Sequence, residues 1–235
     1  MKLSPIITSL MDTDLYKFTM GQVIFHKHTN LNGTYIFKCR NEGVKFTPDM
    51  VREINAQIDH LCTLTFTEDE LEYLSRLRFI KSDYIEFLRL WRPLRRYVTC
   101  AYGPNDTLDL RVDGPIFSAM QFEIYLLEIV NEVYFRMSYD YLDLIDSARE
   151  KLLFKIRGFR DELYDFKFAE FGCRRRLSRE WQDYVVNELL KTGHCVGTSN
   201  VYLARKYGCT PIGTYAHEYI QMYQGIPGVQ LAYTN

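Results

Sequence analysis

Three short clusters in the last third of the chain carry residue types able to act on a flat, anionic molecule. They are Phe171-Gly172-Cys173-Arg174-Arg175-Arg176, Gly197-Thr198-Ser199-Asn200 and Gly213-Thr214-Tyr215-Ala216-His217-Glu218. Arginine presents a planar fork that matches carboxylate and phosphate oxygens. Small residues at helix N-termini bind phosphate through backbone N–H groups. A histidine among them serves as acid, base or nucleophile, and an aromatic ring offers a stacking face. Together they describe a site for an aromatic acid plus phosphate. Taken singly, each has a plainer reading. A run of three arginines is more often a solvated face, and an isolated Phe171 more often belongs to a core. Gly-Thr-Ser-Asn is ordinary turn and capping composition, and a lone His217 is more often structural.

Position is what brings the clusters together. Each follows a predicted strand, at Phe166–Gly172, Cys195–Thr198 and Thr210–Thr214. Helices follow the strands. The first is capped by Ser178, runs through Leu190 and is stopped by Gly193. The second runs from Val201 to Tyr207 before Gly208, and the third carries Ala216 to Tyr223. Strand alternating with helix three times predicts parallel βα units. Ligands bind at the carboxyl ends of such strands, so the clusters are expected on one rim. A closed barrel takes about eight strands. The spacing therefore leaves open a small layered sheet or the opening portion of a barrel.

The preceding residues must frame this rim. Thr34 to Arg40 reads as a strand rich in β-branched and aromatic residues. Thr67 with Glu70 predicts a capping box opening a helix through Leu77. Leu108, Leu110 and Val112 alternate with Asp109 and Arg111, a half-buried strand ended by Gly114-Pro115. A helix over 116–135 carries Met120, Leu127, Val130 and Tyr134 among many apolar positions and is expected to be buried on most sides. A second, over 141–156, has Leu142, Ile145, Ala148 and Leu152 on one stripe. The fold class expected is α/β: a mixed α/β N-terminal domain over 1–115, then a helical connection and the first βα units of an incomplete TIM-like barrel over 116–235.

The chain has 235 residues, 47% of them apolar, and a net charge of −1, which gives no reason to expect nucleic acid or an anionic membrane as partner. No window approaches the roughly 18 consecutive apolar residues of a spanning helix. The N-terminus is a poor signal peptide. Six cysteines form no CxxC pair, so zinc is not expected and free thiols in a reducing cytoplasm are. His26, His28, His60 and His194 lack ligand spacing and read as surface residues.

Several segments, in order along nearly the whole chain, resemble the nicotinate phosphoribosyltransferase family. Leu10-Met11-Asp12-Thr13-Asp14-Leu15-Tyr16-Lys17 resembles its "LLDTDxYK" opening, and Phe37-Lys38-Cys39-Arg40-Asn41 its "FxCR" strand. Leu110-Arg111-Val112-Asp113-Gly114-Pro115 resembles the stretch before its long helix. The three clusters resemble "FGTRR", "GTSN" and "GTxAHE". The resemblance implies that nicotinate and phosphoribosyl pyrophosphate give nicotinate mononucleotide and pyrophosphate, driven by ATP with Mg²⁺, in NAD salvage. It makes His217 the residue phosphorylated by ATP, and Phe171 the ring stacking on pyridine. Tyr16, usually from the second subunit of a homodimer, covers the other face. Asp14 lies in the same motif, Arg174 near the pyridine and ribosyl phosphate, Thr198 and Ser199 along the base pocket, and Arg40 against a phosphate. No metal ligand is assigned. Cys173 stands where the family usually has Thr. The family's acidic "DSGD"-type motif and glycine-rich phosphate loop do not occur after His217, so weak or absent catalysis is expected of these 235 residues alone. A nicotinamide-specific relative and a non-catalytic nucleotide- or partner-binding module are the competing readings.

Overall fold

Leu108, Leu110 and Val112 each lie under 7% exposed, and the residues between them face out, as period-two patterning requires. In a computed structural model, which describes residues 3–162, 165–214 and 216–225, they occupy the central strand of an antiparallel sheet. The elements leading to it are α1 (Leu15–Lys27), β1 (Asn32–Ile36), α2 (Pro48–Leu61), α3 (Glu68–Ser75), α4 (Ser82–Leu90), β2 (Val98–Gly103) and β3 (Thr107–Pro115). The strand order is β1-β3-β2, with Tyr35 opposite Val112 and Cys100 opposite Leu110.

Capping sets the helices that cover this sheet. Thr47 accepts from the Met50 N–H at the start of α2, with Pro48 at the first helical position where its missing N–H costs nothing. The capping box expected at Thr67 is present, Thr67 and Glu70 each satisfying the other's backbone N–H. The helix it opens ends at Ser75, two residues short of Leu77. The strand expected over 34–40 ends at Ile36; Phe37 N still donates to Leu110 O (2.9 Å), and the polar run after it then leaves the sheet.

After β3 come α5 (Ile116–Ala119), α6 (Phe122–Ser138) and α7 (Tyr141–Glu162). The single helix expected over 116–135 is thus two helices. At the break, buried Gln121 turns its amide to the Lys17 carbonyl (3.3 Å) and the Tyr84 hydroxyl (3.5 Å). The last third supplies β4 (Phe168–Glu170), α8 (Arg179–Lys191), β5 (Cys195–Thr198), α9 (Val201–Tyr207), β6 (Thr210–Pro211) and α10 (His217–Gln224). Two of these strands are shorter than predicted. β4 ends where Gly172 N turns back onto the Glu170 carboxylate. β6 ends at Pro211, with Ile212 N still donating to Thr198 O (2.9 Å) just beyond it. Gly208 caps α9 at φ 62°, a left-handed conformation that glycine takes without strain.

The main core joins Ile54, Ile58 and Leu61 of α2, Phe122 and Ile129 of α6, Leu110 and Val112 of β3, and Val201 of α9. A smaller cluster joins Tyr16, Met20, Met120, Cys173, Tyr219 and Tyr223, which sets α10 against α1. His194 is not a surface residue as expected: it is 7% exposed, with Nδ1 2.8 Å from the Phe166 carbonyl, filling the turn into β5. His28 and His60 are half-buried, while His26 is exposed and meets Asp83 at 2.9 Å. Among the described residues, no helix is long and apolar enough to cross a membrane.

Ile54 is fully enclosed in the main core. Ile54→Ala is expected to lower stability by about 2–5 kcal/mol through lost burial and a residual cavity, read from urea unfolding midpoints.

Candidate active site

β4, β5 and β6 are parallel and adjacent in that order, with Glu170 beside Thr198 and Thr198 beside Pro211. The sequence clusters at their carboxyl ends therefore leave the sheet on one side. The approach of β5 to β6 needs glycine, because a Cβ on Gly197 would lie 2.1 Å from the Thr210 carbonyl oxygen.

Above the sheet, the 198–200 turn receives the N-terminal segment. Leu15 N donates to Ser199 O (2.8 Å), Val201 N to Thr13 O (3.0 Å) and Tyr202 N to Met11 O (2.9 Å). Side chains complete this docking. Ser199 Oγ donates to Asp14 Oδ1 (2.5 Å), and Thr198 Oγ1 donates to Glu170 Oε2 (2.7 Å). Asn200 caps α9, accepting from Leu203 N (3.0 Å), while its Nδ2 donates to Asp12 Oδ1 (2.7 Å).

Under the turn lies a buried ionic cluster. Arg176 is 2% exposed and forks onto Asp12, Nη1 to Oδ1 at 2.8 Å and Nη2 to Oδ2 at 3.0 Å. Its Nη2 is also 3.3 Å from Glu128 Oε2, and the Cys173 thiol donates to Glu128 Oε1 (2.7 Å). Burial pushes the Glu128 carboxyl well above its usual range, and Arg176 offsets only part of that. Asp12, Glu128 and Cys173 bring ligand atoms within 4.8 Å of one another. The guanidinium already fills the cationic position between both carboxylates, so this group does not fit a metal ion.

The outer edge of the site is built around a second cation. Lys17 is fully buried; its Nζ lies 2.5 Å from Glu123 Oε2 on α6 and pairs with Glu218, the second residue of α10. Tyr16 and Tyr35 present their rings to it at 5.3 and 5.7 Å. Burial, reinforced by repulsion from Glu123, lifts the Glu218 carboxyl to about 7 against the pull of Lys17. Burial also opposes ionisation of Glu123, but Lys17, a hydrogen bond with Glu218 and Arg174 outweigh it and hold Glu123 at about 2. Half-exposed Arg174 places Nη1 3.3 Å from Glu123 Oε1, Nε 3.8 Å from Asp14 Oδ2, and its guanidinium carbon 5.9 Å from the Tyr16 ring. Burial raises the Asp14 carboxyl, opposed by Ser199, Arg174 and Lys17. A pocket of about 110 Å³ opens beside the Tyr16 ring, lined also by Thr19, Met20, Thr214, Ala216 and Tyr219.

Of the residues singled out from the sequence, Asp14, Tyr16, Arg174 and Ser199 meet in one network, and Thr198 braces it from behind. His217 is exposed at the N-terminus of α10, one residue from Glu218. Phe171 is 44% exposed and so is not core; among the described residues no ring contact joins it to Tyr16. Arg40 is exposed beyond β1, and no hydrogen bond or ion pair joins it to the described residues. Tyr215 lies outside the described residues. The arginine run is divided: Arg176 is buried, whereas Arg174 and Arg175 reach solvent. Asp12, Lys17, Glu123 and Glu128 were given no role from the sequence, and Asn200 only a place in its cluster. Their signal is charge where the pattern is apolar: Asp12 and Lys17 interrupt the N-terminal segment, and Glu123 and Glu128 sit in the most apolar helix.

Residues 11–131 match the model of the nicotinate phosphoribosyltransferase N-terminal domain, and residues 166–232 that of the nicotinate phosphoribosyltransferase family. The chain belongs to this family. It is 45% identical to the nicotinate phosphoribosyltransferase of Chromobacterium violaceum over 98% of its own length, and 43% identical to that of Acinetobacter baumannii over 95%. It spans 59% and 58% of those relatives. The fold is similar to the crystal structure of the Porphyromonas gingivalis nicotinate phosphoribosyltransferase, with TM-score 0.83, 33% identity and coverage of 97% of this chain and 59% of that one. A putative nicotinate phosphoribosyltransferase from Saccharomyces cerevisiae gives TM-score 0.84 at 29% identity, covering 97% and 58%. The mixed α/β class and the parallel βα units expected from the sequence are those of this family's solved structures.

Removing the buried guanidinium takes away the one cation that Asp12 and Glu128 share. Arg176→Met is expected to cost about 3–5 kcal/mol near neutral pH. A carboxyl whose folded pKa lies above its unfolded one binds protons more tightly when folded, so the loss should shrink as pH falls toward the unfolded carboxylate range. Urea unfolding of both proteins at pH 5 and pH 8 measures this.

Proposed function

We propose that the chain carries part of the active site of a nicotinate phosphoribosyltransferase, acting in NAD salvage in the cytoplasm. The observation that carries this reading is the convergence of Asp14, Tyr16, Arg174 and Ser199 with Lys17 and Glu218, which bring α10 and His217 to the same edge. The pyridine nitrogen attacks C1 of phosphoribosyl pyrophosphate, the bond from C1 to the pyrophosphate oxygen breaks, and pyrophosphate leaves. Charge develops on ribose and leaving group, where fixed cations lower the barrier. Arg174 is half-exposed and offers its fork to a carboxylate or phosphate. That charge favours nicotinate over nicotinamide.

ATP is the second substrate, and His217 is its phosphoryl acceptor: Nε2 or Nδ1 attacks the γ-phosphorus and ADP leaves. The exposure of His217 at a helix N-terminus supports this role. Phe171 stacks on the pyridine. The family resemblance gives the second face to Tyr16 of another copy, in a homodimer. Ser199 shapes the base pocket by fixing Asp14, Thr198 does so by bracing the turn on Glu170, and Arg40 contacts a phosphate. Mg²⁺ accompanies such phosphates in general. The described carboxylates at this site do not fit a resident ion: Glu123 and Glu218 are held by Lys17, Asp14 by Ser199 and Arg174, and Asp12 and Glu128 by Arg176.

Two measurements test the proposal. Incubation with ATP labelled at the γ-phosphate should give an acid-labile protein label that His217→Asn abolishes; retention of the label in that variant sinks the assignment, and a non-catalytic module would take up none. In titration calorimetry, Arg174→Ala should weaken binding of phosphoribosyl pyrophosphate or nicotinate about 10–100-fold, the range of a lost charge-assisted hydrogen bond. Unchanged affinity for both ligands would remove Arg174 from the site.

A further inference from the structure

Four rings wall a second cavity of about 300 Å³, which shares no lining residue with the one beside Tyr16. Phe87 comes from α4, Trp91 and Tyr97 from the stretch after it, and Phe117 from α5. Contacts behind the walls hold the rings in place. Phe87 stacks on Phe25 with centroids 4.4 Å apart and meets Phe117 edge-on at 5.6 Å. Trp91 Nε1 donates to Ser118 Oγ (3.2 Å), which satisfies the indole's single polar group. Tyr97 lies so close to β3 that a Cβ on Gly114 would come within 2.8 Å of its ring. The walls are therefore set before anything enters, and a ligand there would order few side chains.

The mouth of this cavity is apolar and positively charged. Leu90, 81% exposed, continues the wall into solvent. Four arginines lie between positions 89 and 96. Arg89 pairs with Glu68 and Glu86, and Arg95 with Asp59. Arg92, which lines the cavity, and Arg96 are both exposed and have no acidic partner among the described residues. Arg96 lies instead over the Tyr97 ring at 5.2 Å, with Nη2 3.3 Å from the Tyr97 hydroxyl. Two uncompensated forks beside an aromatic box suit a negative charge carried on a flat apolar body.

We propose that this cavity binds a planar aromatic anion, with its rings among Phe87, Trp91, Tyr97 and Phe117 and its carboxylate or phosphate against Arg92 and Arg96. A neutral ring would forgo the charge-assisted hydrogen bonds, and an aliphatic anion would forgo the aromatic contacts. A volume of about 300 Å³ is at the small end of ligand clefts, which suits one or two fused rings with a charged group. The proposal is one of binding alone, and no residue of this cavity belongs to the candidate active site. It therefore stands or falls independently of the functional reading.

The chain has two tryptophans, Trp91 in the cavity and Trp181 on α8, so the indole N–H signals report the cavity and supply a control. Trp181→Phe assigns them. Titrating the 235-residue chain with 2-naphthoate or 2-naphthyl phosphate should shift the Trp91 signal saturably and leave that of Trp181 in place. The better-bound of the two identifies the charged group. Neutral 2-naphthamide should bind about tenfold more weakly than that anion, the scale of one hydrogen bond to a charged group at an exposed position. Arg92→Gln/Arg96→Gln should bring the anion down to the affinity of the amide without changing the amide's own. An unmoved Trp91 signal overturns the proposal, and so does equal affinity for amide and anions in the unmodified chain. An interface between copies is the rival occupant. If the chain self-associates at the titration concentration and Leu90→Lys makes it a monomer in sedimentation, the rings belong to that interface and the ligand reading falls.

Discussion

The site depends on a guanidinium buried where two carboxylates need it. Arg176 reaches solvent with only 2% of its surface, and it brings Asp12 of the N-terminal segment and Glu128 of α6 to one point. Burial keeps the Glu128 carboxyl well above its usual range even beside Arg176, and taking the guanidinium away leaves the pair without its buried cation, a loss worth several kcal/mol. The guanidinium thus fixes where the N-terminal segment lies. With Asp12 held, Asn200 reaches it while capping α9, and Asp14 two residues on meets the Ser199 hydroxyl. The backbone bonds between 11–15 and 199–202 then follow as a short two-sided seam. The segment that begins the chain and the turn that ends β5 become one surface, although nearly the whole sequence separates them.

Lys17 extends that surface outward by the same rule. A buried ammonium needs acids, and it takes one from α6 and one from α10. Aromatic rings enclose the group, which strengthens its pairings by excluding water. The apolar cluster of Tyr16, Met20, Met120, Cys173, Tyr219 and Tyr223 backs this arrangement, so α10 is held by packing along its length and by charge at its first turn. Two buried cations, each bridging elements remote in sequence, place the polar residues more specifically than apolar contact could. An apolar face tolerates sliding, whereas a bidentate fork does not.

Much of the architecture was readable because local rules and global packing agree. The alternation at Leu108, Leu110 and Val112, the capping box at Thr67 and Glu70, and the βα rhythm after residue 166 each survive in the fold. The disagreements arise where a distant partner overrides a local preference. The helix over 116–135 is interrupted at Met120 and Gln121, where the Gln121 side-chain amide reaches the Lys17 carbonyl and the Tyr84 hydroxyl. The ladder at Thr34–Arg40 stops after Phe37, where the chain leaves β3 although that strand continues to Thr107. His194 is drawn inside by the Phe166 carbonyl, a contact that ligand spacing does not reveal. In the site, the motif residues Asp14, Tyr16, Arg174 and Ser199 were legible, but the groups holding them were not. Glu123 and Glu128 look like stray charges until Lys17, Arg174 and Arg176 are placed against them in space.

The cysteine at position 173 shows how such a network constrains substitution. A threonine there would offer a hydroxyl of similar reach. The thiol instead donates to Glu128 at 2.7 Å and lies 3.1 Å from the Asn200 amide, which already serves Asp12. Burial and the surrounding carboxylates push the Cys173 thiol well above its usual range, so it remains a protonated donor. The requirement at this position is therefore a small group able to donate one hydrogen bond to a buried carboxylate. Sulfur meets it, and its charge state leaves the electrostatic balance of Arg176 unchanged. The residue nearest the buried acids can vary in element without altering the arrangement, while its protonation cannot.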